Sequence, residues 1–275
     1  MTTLHRLCAA LLCSLAGAGA GAHEFWMLPD RFTVAPGSAV GVSLHVGENF
    51  SGETVGLSRP LFASFRRYSA AGPANLAPSV PQQPAASIAV TLPAAGTHLL
   101  AIDTQPSEIV LEAAKFNAYL IEEGLETVAA TRQASGTADA PGRERYRRNI
   151  KTLVQAGERR DTTYAVRTGQ RLEIVPTTDP SRPAADGDVS FRVFFDGRPL
   201  SGTLVKLWHR RDGQLHTIRA KTDAKGKVTA SLPWPGAWMA STVHMIAATG
   251  TRDHDWDSYW GNLTFEVPPG AAPAR

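Results

Sequence analysis

Cysteine is nearly missing. The chain has two, and both Cys8 and Cys13 lie in its first 22 residues. Without that segment no thiol remains, so no disulfide forms and no thiolate serves in catalysis or metal ligation. Charge is also sparse, at 19% of residues against 43% hydrophobic. That balance excludes disorder of the whole chain. A net charge of +3 is too small to argue for a nucleic-acid partner. No stretch offers the roughly 20 consecutive apolar residues that a transmembrane helix needs. A phosphate-cradling Walker loop and a G-x-S-x-G elbow are both absent. No acid and base stand at a spacing that argues for catalysis, so the chain reads as a binding protein more than an enzyme.

Turn residues, by contrast, are plentiful: 24 glycines and 19 prolines. They point to short strands joined by turns. The first 22 residues have the three parts of a secretory signal peptide. Arg6 gives a positive start, Leu7 to Leu15 an apolar centre, and Ala16 to Ala22 a tract of small residues. Export to the periplasm is therefore expected. Cleavage after Ala22 leaves His23 first, and cleavage after Ala20 leaves Gly21 first. Seven histidines remain in the exported chain: His23, His45, His98, His209, His216, His244 and His254.

Apolar residues alternate at Val40, Val42, Leu44 and Val46, the mark of a half-buried strand, with His45 on the opposite parity. Leu61 to Ser69 reads as another strand, and the proline-rich Pro73 to Pro84 as a loop. Ser87 to Leu92 and Thr97 to Asp103 read as a strand pair. Next, VLEAAKFNAYLIEEGLETVAATRQ carries apolar residues at helical spacing, with Gly124 breaking it in two. GRERYRRNIKTLVQAGE places Tyr146, Ile150 and Leu153 or Val154 at the same spacing. Its basic residues, Arg143, Arg145, Arg147, Arg148 and Lys151, then form a solvated helix face or, as the alternative, an anion site. A helical insertion of about 50 residues, from about 110 to about 158, is expected between β regions.

Strands resume at RLEIV (171–175). Val189, Phe191, Val193 and Phe195 alternate strictly, Asp196-Gly197 is a hairpin signal, and Thr203 to Trp208 reads as the return strand. HTIRAKTDAKGKVTASL reads as a further hairpin. The expected fold is mainly β: two β-sandwich domains with a helical insertion. Residues 1–22 are the signal, 23–175 the first sandwich with its insertion, 176–267 a transthyretin-like or Ig-like sandwich, and 268–275 a flexible tail.

HEFWMLPDRF, AAKFNAYLIEEGL, GRERYRR, FDGRPLSGTLV, TDAKGKV, PGAWMASTVHM and DWDSYWGNLTFEV occur in this order. Together they resemble a family of bacterial periplasmic proteins of uncharacterised function, over essentially the whole exported chain. Members are often described as the periplasmic component of a nickel or cobalt uptake system. The resemblance thus implies a metal cargo and a membrane metal transporter as partner. The second half is similar to the transthyretin-like or carboxypeptidase-regulatory β-sandwich. Two departures stand out. Ala114 precedes Lys115 where the family pattern leads one to expect Glu, and the chain lacks the His-rich tract of a bulk metal buffer.

The sharpest chemical feature is His23 as a new N-terminus. A free α-amine has a pKa of about 7.7–8.0 and yields its proton readily to a metal. Amine and imidazole Nδ1 then chelate one ion, and a further histidine completes a three-nitrogen plane suited to Cu(II), then Ni(II). This resembles the histidine brace of periplasmic copper-binding β-sandwiches and of lytic polysaccharide monooxygenases. His244, His45 and His254 are the candidate partners. His98, His209 and His216 read as surface. Four of the six tryptophans, Trp234, Trp238, Trp256 and Trp260, cluster late in the chain. They either seal the core or, with Trp26, line a ligand groove, for which Trp26, Trp256 and Trp260 are the candidates. Three functions follow: a carrier for Cu, Ni or Co, a metal-free module gripping glycan or a partner protein, and a copper oxidase.

Overall fold

A computed structural model describes residues 23–184 and 187–270. The expected signal segment and most of the expected tail lie outside the described residues. The first strands are β1 (Glu24–Pro29), β2 (Thr33–Val34), β3 (Ala39–Glu48), β4 (Ser51–Val55), β5 (Phe62–Ser69) and β6 (Gly72–Asn75). β7 (Ile88–Thr91), β8 (Gly96–Thr104) and β9 (Ser107–Leu111) lead to helices α1 (Ala113–Glu122) and α2 (Glu126–Ala134). After them come β10 (Gly142–Ala156), β11 (Leu172–Pro176), β12 (Asp188–Phe195), β13 (Arg198–Pro199) and β14 (Leu204–Arg211). β15 (Gln214–Lys221), β16 (Lys227–Ser231), β17 (Gly236–Ala247) and β18 (Trp256–Val267) complete the fold.

These strands form two sandwiches that share one long sheet. Ten strands make the shared sheet, in the order β15-β14-β17-β18-β10-β8-β5-β6, with β2 and β9 also on β10. The join is β10 beside β18, parallel from Glu144 opposite Trp256 to Thr152 opposite Thr264. A sheet of β1, β3, β4 and β7 covers one half, and a sheet of β11, β12, β13 and β16 covers the other. Each interface is a separate core. Val40, Val42, Leu44, Phe62, Phe65 and Ile150 fill the first, and Phe191, Val193, Leu207, Trp238 and Phe265 the second. Each such side chain contributes about 1.5–3 kcal/mol by leaving water.

The mainly β expectation holds, and the helical insertion is real but short. α1 and α2 are split at Gly124, which adopts φ +67°. They lay Phe116, Tyr119, Leu120 and Val128 against Val243, Met245, Trp256 and Trp260 on the shared sheet. No described helix is long and apolar enough to cross a membrane. GRERYRRNIKTLVQA is not helical. It is β10, the strand that joins the two halves. The pattern was period two all along: Arg143, Arg145 and Arg147 take one face, and Tyr146, Ile150 and Val154 the other.

Other pairings also differ from the simplest reading. β7 pairs with β3 and β8 with β5 and β10, so the expected strand pair lies in two opposite sheets. Asp196 and Gly197 do make a tight turn, at φ +47° and +80°, but the returning β13 is two residues long. The chain then crosses to the shared sheet, where β14 pairs with β15 and β17. β16 returns to β12 and makes no hairpin with β15. β11, placed at the end of the first domain by the sequence reading, pairs with β12 of the second sandwich.

Candidate functional site

The HEFW segment is explained residue by residue. β1 runs antiparallel to β3, with Glu24 opposite Gly47 and Trp26 opposite His45. Period two sends Phe25 and Met27 into the first core. Glu24, Trp26 and Leu28 turn the other way. Trp26 sits with Trp208 and Met239, flanked by Phe50. The Asn262 and Thr264 side chains of β18 donate to the carbonyls of Phe25 and Met27, each at 2.7 Å. Strand β1 is thus tied to β18.

Glu24 ends in a buried polar cluster. Its carboxylate accepts a hydrogen bond from Ser241 at 2.8 Å and lies 3.4 Å from Lys206 Nζ. Lys206 donates to Glu123 of α1's C-terminal end at 2.6 Å. All three charged side chains are buried. Two carboxylates share one ammonium, so one negative charge is left over. Burial pushes the Glu123 carboxyl up to about 7, against the pull of Lys206. Burial works against the Lys206 charge, but the two acids outweigh it and raise the lysine.

His23 emerges from this anchor into solvent. Its side chain is 58% exposed, and Nε2 stands 3.7 Å from Glu48 Oε1 at the far end of β3. Register puts His23 and His45 on opposite faces of the small sheet. His45 stacks on Trp26 at 5.7 Å and 15°, and its Nε2 lies 2.8 Å from Ser43 Oγ. Burial lowers the His45 pKa.

His244 lies elsewhere, on the face of the shared sheet that turns toward the second small sheet, and His254 is buried in the bend before β18. Arg147, Tyr259 and His244 form one row across β10, β18 and β17. Arg145 and Asp257 begin the next. Asp257 accepts from Arg145 at 2.9 Å and lies 3.4 Å from His254 Nε2. Arg143 grips Asp255 through two hydrogen bonds. His244 packs on Phe195, ring centres 4.4 Å apart, and desolvation lowers its pKa while Asp196 opposes. Arg171 pairs with Asp196 at 2.7 Å and donates to the Tyr259 hydroxyl. Arg143, Arg145 and Arg147 are therefore partnered by Asp255 and Asp257, while Lys151 is buried against Glu173 and Arg148 lies over Phe25 and Tyr146.

Two histidines expected at the surface are core residues: His98 and His209 are 1% and 2% exposed. Their neighbours in sequence are polar, but both strands belong to a sheet covered on two sides. The candidate ligand tryptophans are buried too. Trp26 is in the interface just described, and Trp256 and Trp260 lie under the helices. Among the described residues no three of His, Cys, Asp and Glu converge on one point. The residue that sequence reasoning missed is Glu48. Its signal was the glycine pair Gly47 and Gly52, opposed so closely that an added Cβ on Gly47 would meet Ser51 O at 2.2 Å. That tight β3–β4 turn holds Glu48 beside the start of β1.

A family model for a domain of unknown function, DUF4198, matches residues 20–246. The chain belongs to that family. Among curated proteins nothing matches it. Solved structures that match it include the D0-D1 domain of intimin, at 14% identity and a TM-score of 0.20, covering 88% of this chain and 97% of that one. A tetra-tandem repeat from the extending region of a large adhesion protein gives 9% and 0.22, covering 90% of this chain and 49% of that one. Trypsin-activated alpha-2-macroglobulin from Escherichia coli gives 12% and 0.22, covering 93% and 16%. The chain thus spans about half of the second and a sixth of the third. Likeness at this level bears on neither activity nor partner.

Proposed function

We propose that this DUF4198 protein is a periplasmic metal carrier whose site is its processed N-terminus. It takes a Cu(II)- or Ni(II)-type ion as cargo through the amine and imidazole of His23 and the Glu48 carboxylate. It hands the ion to a membrane transporter. The observation that carries this reading is the placement of His23. Glu24, Phe25 and Trp26 are buried and fixed, while the residue just before them stands exposed, 3.7 Å from a carboxylate. An anchored donor set loses less freedom on binding than a frayed terminus would. Two nitrogens and an oxygen suit a square-planar ion, and Glu48 takes the place given above to a second histidine. The ion meets solvent on its open side, which favours transfer over storage. The glycan-gripping alternative loses its tryptophans, since their rings are covered.

Intact-mass measurement of the exported protein, followed by Cu(II) titration, tests the reading. The expected mass is that of a chain starting at His23, binding one equivalent. A mature chain starting at Gly21 overturns it, because two residues ahead of His23 remove its amine.

A further inference from the structure

His209 and His216 face each other across β14 and β15. Their ring centres are 6.4 Å apart and tilted by 32°. His209 Nδ1 lies 2.9 Å from the Ala237 carbonyl. A carbonyl only accepts, so Nδ1 carries the proton and Nε2 of the neutral ring presents a lone pair. That Nε2 is buried and has no hydrogen-bond partner, a situation that costs about 1–3 kcal/mol. An imidazole held by Nδ1–H on a backbone carbonyl, with Nε2 left open, is the arrangement that orients metal-ligating histidines.

Separation and surroundings narrow the ion. A metal–nitrogen bond of about 2.0 Å, with the ring centre about 1 Å beyond, puts two imidazoles on a straight line through the ion about 6 Å apart. Bent geometries bring them closer. At 6.4 Å the ring centres are close enough for one ion to join the two imidazoles. Trp234 roofs the pair, 4.2 Å from His216 and 6.0 Å from His209. Trp238 stacks on His209 at 4.5 Å. An indole face attracts a desolvated cation by about 2 kcal/mol. No carboxylate joins the two histidines in a three-donor group among the described residues, so nothing there neutralises a divalent charge.

We infer that His209 and His216, roofed by Trp234, form a site for a soft monovalent ion of the Cu(I) class. The site does not depend on the His23 reading. It uses different residues, a different sandwich and a different charge of ion. Competing soft ligands are few. The exported chain has no cysteine, and Met27, Met239 and Met245 are all buried.

Ag(I), which is redox-inert, is the probe. It is titrated into the exported chain, with tryptophan fluorescence and the histidine side-chain NMR signals as readouts. The expected result is one equivalent bound, quenched fluorescence and shifted His209 and His216 signals. One alanine placed ahead of His23 leaves this unchanged. His216→Gln, on the half-exposed edge strand, keeps the fold and weakens binding at least tenfold. His209→Phe, which preserves the stack, does the same. Unmoved His209 and His216 signals, or equal affinity in His216→Gln, overturns the inference. So does Ag(I) binding that vanishes on alanine insertion, which assigns the ion to His23 instead.

Discussion

His23 and His209 hold an imidazole in opposite ways. His23 stands in water at the rim of the first sandwich, beside a carboxylate. Its position is secured by the residue after it, whose carboxylate is buried against Lys206 and Ser241. His209 lies inside the second sandwich beside Trp234 and Trp238, secured by its own Nδ1 hydrogen bond. The first arrangement suits a borderline divalent ion that comes and goes through solvent. The second suits a soft cation in an aromatic setting. The shared sheet links the two, because Trp208, which packs on Trp26, and His209 are neighbours on β14 that point to opposite faces.

The comparison breaks most visibly at Lys206. Lys206→Met leaves Glu24 and Glu123 buried without a counter-charge. A loss of about 3–5 kcal/mol is expected at pH 8, less at pH 5 where a carboxyl takes up a proton. Chemical denaturation at the two pH values measures it. Metal affinity at His23 should fall with the loosened anchor, while the His209 and His216 signals stay in place. A smaller effect separates the sites further. Glu48→Ala should weaken Cu(II) binding about tenfold, near 1.4 kcal/mol, and leave Ag(I) binding alone, as paired calorimetric titrations would read.

The smallest effect concerns pH. Glu123 binds its proton more tightly folded than unfolded, since its carboxyl is raised to about 7. Its contribution is therefore fully present below the unfolded value and is lost as pH rises through about 7. Glu123→Gln keeps the Lys206–Glu24 pair and removes that loss. The stability of the variant relative to the parent should thus improve by roughly 1 kcal/mol or more between pH 5 and pH 8. A pH-independent difference would mean that Glu123 stays ionised.

Sequence made the β class, the split helix at Gly124 and the turn at Asp196-Gly197 legible, because each rests on local backbone preference. β10 reads as helix or strand from sequence because Tyr146, Ile150 and Val154 are four residues apart, a spacing that fits both periods, and its alternating arginines meet Asp255 and Asp257 more than 100 residues later. The role of HEFW was half legible. His23 could be singled out from its chemistry. Its neighbour Glu48 and the Glu24–Lys206–Glu123 anchor depend on contacts between distant strands. His209 read as surface for the same reason: its burial comes from Trp234 and Trp238, brought over it by β17 and the turn ahead of it.

The central claim is that the free amine of His23 is a ligand. Calorimetric Cu(II) titration of the chain starting at His23, beside the same chain with one alanine ahead of His23, tests it most directly. The account predicts one equivalent in the parent and at least a hundredfold weaker binding in the extended chain, with unchanged thermal stability of the metal-free proteins. Equal affinity in the two chains would contradict it.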